Sequence, residues 1–217
     1  MELGYWNIKG RAEIIRILLA YFNLEYKEFN PTSREEAQAA FAKYHFAFPN
    51  LPYLVDGDVH ITESSAIPVY LAHKAGRADF FGKAGLDHVH HQEVIGVLHD
   101  VAEVLQQTVT REDNADFFKN KRDFLDRKFA DISKLLGDKE YLLGYPTFAD
   151  FVLMALVGLQ NKIVAALKID SVTGKYANLL AHAQRLKELP GVKEYINSDA
   201  AKARLFLPPS YTKLVIQ

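Results

Sequence analysis

The sequence contains no cysteine, a single tryptophan and only two methionines among its 217 residues. The missing thiols exclude disulfide bonds, zinc sites built on thiolates and cysteine nucleophiles. A chain without thiols is also typical of a reducing compartment. These absences favour a cytoplasmic protein whose chemistry does not depend on sulfur of its own.

Net charge and long apolar runs are also scarce. The formal net charge is −1 at pH 7, so we expect no bulk binding to nucleic acid or to an anionic membrane surface. No uninterrupted apolar run reaches the ~18 residues that a membrane span needs, and the first ten residues do not resemble a signal peptide. Apolar residues make up 49% and charged residues 24%, which predicts an ordinary globular protein.

Strand and helix patterns alternate over the first 76 residues. Segments 2–6 and 25–29 are typical of strands, and segment 52–62 reads as two strands around an Asp-Gly-Asp turn. Helical periodicity fills the stretches between them and the stretch that follows. The resulting order, β-α-β-α-β-β-α, predicts an α/β domain with a small mixed sheet and helices on its faces.

The second part of the chain shows only helical patterns. A glycine-punctuated segment, residues 75–85, is typical of a linker. Beyond it, apolar residues recur with a helical period in four segments, 86–109, 115–138, 147–167 and 176–189. We therefore expect a first domain over residues 1–78 and an all-helical domain over residues 84–217.

Tyr5 and Trp6 lie where the first strand is expected to end. In open α/β sheets, ligands collect beyond the carboxyl ends of the strands. One interpretation is that the Tyr5 hydroxyl points into a ligand cleft. The alternative is that both residues are ordinary core aromatics.

Leu51-Pro52 and Ser64-Ser65 flank the predicted hairpin. A cis Leu51–Pro52 bond would free the backbone of Leu51 to pair with a peptide-like ligand, whereas a trans bond would indicate an ordinary edge-strand proline. A serine cap at 64 or 65 would begin a helix whose N-terminus attracts anions, although most such serines only cap. Together these features predict a groove for a small peptide that carries a carboxylate.

A histidine-rich segment, Asp87 to His91, raises the question of a metal. His88 and His91 could share one face of a helix. No cysteine or paired His-Glu spacing supports such a site, so a polar helix face is the favoured interpretation. We predict no metal.

Several motifs resemble one known family. The segments GYWNIKGRAEIIR, FPNLPYLVDG and ITESSAI resemble the N-terminal domain of cytosolic glutathione transferases, and most closely the tyrosine-type classes mu and sigma. The segment PTFADF resembles the family's capping motif, with Thr147 and Asp150 at its two ends. The resemblance implies a thioredoxin-like N-terminal domain followed by an all-α domain.

The resemblance also implies a chemistry. Tyr5 would be the catalytic tyrosine, whose hydroxyl donates to the sulfur of glutathione and lowers the thiol pKa. Arg11 matches an arginine near the sulfur, and Trp6 matches a ligand contact. The implied reaction is conjugation of the glutathione thiolate to small hydrophobic electrophiles, as in detoxification, with glutathione as co-substrate and without a metal.

The same resemblance assigns the rest of the glutathione site. Leu51 would pair with the cysteinyl backbone, with Pro52 in the cis form. Glu63 and Ser64 would hold the γ-glutamyl end. Glutamate replaces the glutamine that mu and sigma enzymes usually carry, and it would accept from the ligand's ammonium group.

The glycyl end and the subunit contacts follow in the same way. Lys43 matches a lysine at the glycyl carboxylate, where the family's usual tryptophan is missing and His45 or Asn50 would contribute. Asp100 resembles an aspartate that reaches the neighbouring subunit's glutathione. Phe48 resembles an aromatic residue that inserts into the partner, so the resemblance implies a homodimer.

The helical domain would carry the electrophile pocket. Its expected lining includes Val104, Leu105 and Thr108, together with Phe206 and Leu207 from the C-terminal segment. Two other functions stay open at this point. One is a glutathione-dependent isomerase of the prostaglandin type, and the other is a non-catalytic binding or structural protein on the same fold.

Overall fold

The structure is a computed structural model that describes residues 1–208 and 210–216. It contains two compact units. The mixed unit comprises Met1–Arg77 and Leu189–Leu207, and the helical unit comprises Ala78–Glu188 and Pro208–Gln217. The mixed unit thus includes a late segment that the sequence analysis assigns to the helical domain. The predicted domain boundaries, residues 1–78 and 84–217, remain a proposal.

The mixed unit has the predicted order of elements. Its sheet runs β2-β1-β3-β4, with β1 parallel to β2 and antiparallel to β3, and with β3 antiparallel to β4. This arrangement is a thioredoxin-like mixed sheet with helices, as predicted. The elements are β1 Glu2–Gly4, α1 Glu13–Tyr21, β2 Lys27–Phe29, α2 Arg34–Tyr44, β3 Tyr53–Asp56, β4 Val59–Thr62 and α3 Ala66–Lys74.

Apolar periodicity accounts for α1, and a side-chain cap begins α2. In α1, Ile15, Leu18 and Leu19 are fully buried, whereas Ile14 is half-buried. In α2, Ser33 caps the helix, because its hydroxyl oxygen accepts from the backbone N–H of Glu36 at 3.2 Å. This hydrogen bond fixes where α2 begins.

β1 and β3 approach each other closely at Gly4. Gly4 lies opposite Tyr53 in the register of the two strands, and a Cβ atom at Gly4 would lie 2.1 Å from the Tyr53 ring. The Tyr53 hydroxyl donates to Glu2 at 2.8 Å, and its ring packs against Phe46 at a centroid distance of 4.9 Å. Only glycine fits at residue 4, because the bulky ring of Tyr53 lies directly against the end of β1.

The helical unit has no strand within residues 78–188, 208 and 210–216, which agrees with its prediction as all-helical. Its first long helix packs against the second and the third, and the third also packs against the fourth. Its four long helices are α4 Leu86–Thr110, α5 Asn114–Leu136, α6 Phe148–Leu167 and α7 Ala177–Lys187.

The expectation that no apolar segment is long enough to span a membrane needs a correction at α6. By length and composition alone it is long and apolar enough to cross a membrane, although its apolar residues are interrupted. Half of that window is buried inside the protein, and buried Asp150 and Gln160 lie on it. These properties are typical of the core helix of a globular unit.

Two short helices, α8 Val192–Asn197 and α9 Asp199–Ala203, belong to the mixed unit and are missing from the sequence analysis. α8 packs against α1. The Tyr195 hydroxyl donates to Glu13 at 2.9 Å. The chain thus returns to the mixed unit after α7, and this return brings residues 204–207 to the mixed unit as well.

Candidate active site

A cavity of about 300 Å³ opens in the mixed unit next to the end of β1. It brings together five of the predicted site residues and four residues of α2 that the sequence analysis did not assign. We call it the Tyr5 cavity. Its lining consists of Tyr5, Trp6, Arg11, Arg34, Ala37, Gln38, Phe41, Asn50 and Leu51.

Tyr5 follows β1 directly, and its backbone N–H donates to the carbonyl of Phe29 at 3.0 Å. Its side chain is buried. The hydroxyl oxygen accepts from the backbone N–H of Arg11 at 3.1 Å. Because the phenol accepts from this N–H, its own proton remains to donate to a ligand in the cavity.

Gly10 allows this contact. Its φ angle is +41°, and a Cβ atom there would lie 2.7 Å from the Tyr5 hydroxyl oxygen. Any other residue would be strained and would also press on the phenol. The glycine therefore fixes how closely the backbone before Arg11 approaches Tyr5.

The cavity lining carries positive charge. Arg11 and Arg34 line it, and none of the nine lining residues is a carboxylate. Arg34 begins α2, and Ala37, Gln38 and Phe41 follow on the same face of that helix. This spacing is visible in the sequence and could have identified the α2 residues. The lining is suited to an anionic ligand.

Asn50 connects the predicted peptide-binding residues. Its side-chain oxygen accepts from the backbone N–H of Leu51 at 2.9 Å, and its side-chain nitrogen donates to Glu63 at 3.3 Å. The Leu51–Pro52 bond is cis, as predicted. Glu63 has a positive φ of 73°, an uncommon conformation that clusters at functional sites.

The N-terminus of α3 lies next to Glu63 in the chain. Ser65 occupies the cap position, but its side chain makes no capping hydrogen bond. Instead, the carbonyl of Glu63 accepts from the N–H groups of Ala66 and Ile67, each at 3.1 Å. The prediction that Ser64 or Ser65 caps the helix through its side chain is therefore wrong for Ser65. Ser64 is half-buried just before the helix begins.

Five of the ten predicted site residues do not line the Tyr5 cavity: Lys43, Pro52, Glu63, Ser64 and Asp100. The Lys43 amine donates to the Tyr44 hydroxyl at 2.9 Å and lies over the same ring, so it does not line the cavity. Asp100 belongs to the helical unit, where it accepts from Lys128 at 2.7 Å. Arg34 is the cation that lines the cavity on the α2 side.

The predicted electrophile residues of α4 are mostly interior. Leu105 and Thr108 are fully buried, and the Thr108 hydroxyl donates to the carbonyl of Val104 at 2.8 Å. Val104 lines a cavity of about 170 Å³ in the helical unit together with Asp100. A fully buried side chain does not contact a ligand directly, so Leu105 and Thr108 support the helix rather than line a pocket.

The histidines of α4 have separate environments. His88 bonds to the carbonyl of Phe81 at 2.7 Å, and His90 bonds to Glu93 at 2.7 Å. His91 is fully buried, and its burial lowers its pKa to about 4, with nearby His88 adding to the effect. Within residues 1–208 and 210–216, no group of three or more His, Cys, Asp or Glu side chains could hold a metal ion.

Comparison with known proteins assigns both parts of the chain. The family model of the glutathione S-transferase N-terminal domain matches residues 1–73, and that of the C-terminal domain matches residues 97–199. The chain is 31% identical to glutathione S-transferase Mu 7 of Rattus norvegicus, over 100% of this chain and 97% of the relative. It is 30% identical to glutathione S-transferase 2 of Gallus gallus, over 95% and 94% of the two chains.

Solved structures agree with this assignment. The crystal structure of the glutathione S-transferase Blo t 8 has a TM-score of 0.85 and 26% identity, and the match covers 99% of this chain and 100% of that one. The Pi-class glutathione S-transferase of Onchocerca volvulus has a TM-score of 0.75 at 21% identity, which supports the fold alone. With its mixed sheet, its helical unit and two matching domain models, this chain belongs to the glutathione S-transferase family.

Proposed function

We propose that this protein conjugates the thiolate of glutathione to small hydrophobic electrophiles, and that Tyr5 is the catalytic group. The observation that carries this proposal is the hydrogen bond from the Arg11 N–H to the Tyr5 hydroxyl oxygen, at 3.1 Å. It leaves the phenolic proton free to donate to a ligand. It also makes the phenol a stronger donor, because a hydroxyl group that accepts a hydrogen bond is polarised and holds its own proton less tightly.

The chemistry depends on the charge of the sulfur. A free thiol has a pKa of about 8.5, so only a small fraction is ionised at neutral pH. A donor aimed at the thiolate stabilises the charged form, and each unit by which the pKa falls corresponds to about 1.4 kcal/mol. Tyr5 would supply this donor, and the positive charge of Arg11 in the same cavity would add to it.

The bond-forming step then needs no covalent enzyme intermediate. The thiolate sulfur forms a bond to an electrophilic carbon, and a leaving group departs with its bonding electrons. With an electrophilic double bond, the carbanion that results takes up a proton instead. In both cases the protein binds, orients and stabilises the attacking sulfur.

The tripeptide would extend along residues that lie close together. Leu51 would pair with the cysteinyl backbone after Asn50 releases its N–H, with the adjoining Pro52 in the cis form that this peptide bond has. Glu63 would accept from the ligand's ammonium group. Ser64, at the N-terminus of α3, would receive the γ-glutamyl carboxylate, because free N–H groups at a helix N-terminus attract anions.

For the glycyl carboxylate, the cavity lining favours Arg34 over Lys43, the cation that the resemblance assigns. Arg34 and Gln38 line the cavity from α2, whereas the Lys43 amine is bonded to Tyr44. An arginine can bind a carboxylate through two parallel hydrogen bonds. Lys43 stays a secondary candidate, since its exposed side chain can change its rotamer.

A homodimer is part of the proposal. Phe48 is 73% exposed, which is uncommon for a large aromatic side chain and typical of an interaction site. The helical unit contains a largely apolar cavity of about 520 Å³. We infer that Phe48 of one copy occupies this cavity in a second copy, lined by Val94, Val97, Ile132, Leu135 and Leu142 among others. Asp100 would then reach the partner's glutathione.

The dimer proposal has a direct test. Phe48→Ser removes the inserted ring and should shift the protein from dimer to monomer in sedimentation at micromolar concentration. Tyr211→Ser, which removes an exposed aromatic of the helical unit, is the control and should leave the mass unchanged. A dimer of equal strength in Phe48→Ser would show that the contact is built elsewhere.

The catalytic proposal is tested by titrating bound glutathione. Thiolate absorbance in the ultraviolet should show a thiol pKa well below about 8.5 on the wild-type protein. Turnover of a generic aryl halide with glutathione should follow the same ionisation. Binding without turnover would support a non-catalytic protein, and turnover of an endoperoxide alone would support an isomerase. The proposed setting is cytoplasmic detoxification of electrophiles.

A further inference from the structure

Side chains from α1 and from the end of β2 bind the backbone of the loop that carries Tyr5. We call residues 5–10 the Tyr5 loop. The Asn30 side-chain nitrogen donates to the carbonyl of Tyr5 at 2.9 Å, and Arg16 donates to the carbonyl of Ile8 at 2.7 Å. Two outward carbonyls of the loop are therefore fixed by donors from α1 and from the end of β2.

Both of these donors are bound to one carboxylate. Glu28 accepts from Arg16 at 2.9 Å and from Asn30 at 3.2 Å, on its two different oxygens. A third donor, Tyr26, reaches Glu28 at 3.3 Å. Burial and the neighbouring Glu28 carboxylate raise the pKa of Tyr26 to about 12, so this phenol keeps its proton at neutral pH.

Arg204 extends the same network to the other side of the loop. It donates to Glu28 at 2.6 Å and to the side chain of Asn7 at 3.3 Å. The residues that follow it bind the loop backbone. Lys9 N–H donates to the carbonyl of Leu205 at 2.8 Å, and the next N–H donates to the carbonyl of residue 206 at 3.0 Å.

The charge of Glu28 is essential to this arrangement. The Arg16 side chain is 0% exposed and that of Arg204 is 9% exposed, while the Glu28 side chain is 16% exposed. A buried guanidinium without a counter-charge is strongly unfavourable. Glu13 is a weaker partner for Arg16, at 3.7 Å. Glu28 thus determines where both arginines lie, and through them where the loop lies.

We propose that Glu28 is a positioning residue for the reaction: it holds the Tyr5 loop through Arg16, Asn30 and Arg204, and thereby sets the Tyr5 hydroxyl against the glutathione sulfur. This inference rests on the proposed function. Glu28 does not line the cavity, so we expect it to make no direct contact with glutathione. Its effect should therefore appear in the ionisation and reaction of the sulfur rather than in the affinity for glutathione.

The test compares Glu28→Gln with Asp56→Asn. Both replace a carboxylate by an amide within the mixed unit, and Asp56 accepts from Lys74 at 2.5 Å and Tyr70 at 2.6 Å at a site away from the Tyr5 cavity. We expect Glu28→Gln to raise the pKa of the bound thiol by about one unit and to lower kcat about tenfold. The KM for glutathione should stay within about twofold. Asp56→Asn should leave all three values unchanged.

A second variant guards against misfolding. Arg204→Gln removes one donor to Glu28 and keeps the buried Arg16–Glu28 pair. The variant should therefore fold, and it should raise the pKa of the bound thiol by less than Glu28→Gln does. If both folded variants have the wild-type thiol pKa and kcat, Glu28 is only structural and the inference is wrong. If the wild-type protein itself does not lower the thiol pKa, the proposed function fails instead.

Discussion

Glu28 and Asp150 are two shielded carboxylates with different consequences. Asp150 is fully buried in the helical unit and accepts from the N–H and hydroxyl of Thr147, from the N–H of Leu142 and from His182, at 2.7–2.8 Å. These partners fix the start of α6. Most of the partners of Glu28 instead are side chains that hold the Tyr5 loop. In our proposal, a shielded carboxylate therefore contributes to stability or to catalysis according to which groups its donors hold in place.

The largest effect is expected from Asp150→Ala. The change leaves Thr147 and His182 buried without their acceptor, and losing one member of such a group costs about 3–5 kcal/mol of unfolding free energy. Urea denaturation followed by circular dichroism measures it. Glu112→Ala, at an exposed pair with Lys213, should cost less than about 1 kcal/mol. Equal losses in the two variants would remove the contrast.

Tyr5→Phe should cause the largest loss of catalysis, which sets the maximum effect that a variant of Glu28 could have. Removing one donor to a developing or stabilised anion typically lowers kcat about 100-fold or more. The KM for glutathione should change little, because the hydroxyl acts on the sulfur alone. Steady-state kinetics with an aryl halide measures both values. The control is Tyr176→Phe, whose hydroxyl bonds to Asp126 in the helical unit. Undiminished turnover in Tyr5→Phe would transfer the chemistry to another group.

The buried ring of His91 makes the unfolding free energy depend on pH. Its folded-state pKa is about 4, below the ordinary value of about 6.5, because burial disfavours the charged ring. Between these values the unfolded chain binds more protons, so stability is present above pH 6.5 and falls as the pH decreases. The slope should be at most about 1.4 kcal/mol per pH unit.

The variant that isolates this effect is His91→Leu. Neither ring nitrogen of His91 has a hydrogen-bond partner within the described ranges, so leucine removes two unsatisfied polar atoms without breaking a bond. The dependence of unfolding free energy on pH from 4 to 7 should become shallower. His90→Leu, on the exposed side of α4, should retain the wild-type slope. A steep slope in His91→Leu would assign the titration to another residue.

Asp100→Ala has the smallest expected effect. It tests whether Asp100 contributes to glutathione binding or only pairs with Lys128. If Asp100 contacts glutathione on a partner subunit, the KM for glutathione should rise about threefold, as expected for one exposed charge interaction. Glu103→Ala is the matched control, because it lines the same cavity of about 170 Å³. Equal KM values in the two variants would reduce Asp100 to a surface partner of Lys128.

The sequence predicted the fold well where local patterns determine it. The order of elements in the first 76 residues followed from short motifs, and all four long helices followed from apolar periodicity. The cis form at Leu51–Pro52 followed from the family resemblance of the segment around it. The Thr147-Asp150 contact also lies within one turn of chain. In each case, the residues that determine the structure are near neighbours in sequence or carry a strong conformational preference.

Features that depend on distant parts of the chain were missed. Arg16 lies among apolar residues of α1, but its complete burial depends on Glu28 and on the loop carbonyls around it. The membership of α8 and α9 in the mixed unit depends on packing against α1, which no local pattern indicates.

The contacts of Arg204 also set an order of events during synthesis. Arg204 follows its partner Asn7 by 197 positions in the chain. A ribosome therefore releases the first β-strand and Tyr5 long before the segment that braces them from the other side. A nascent chain can form its sheet early, but its phenol acquires the final support only when translation has passed the whole helical region.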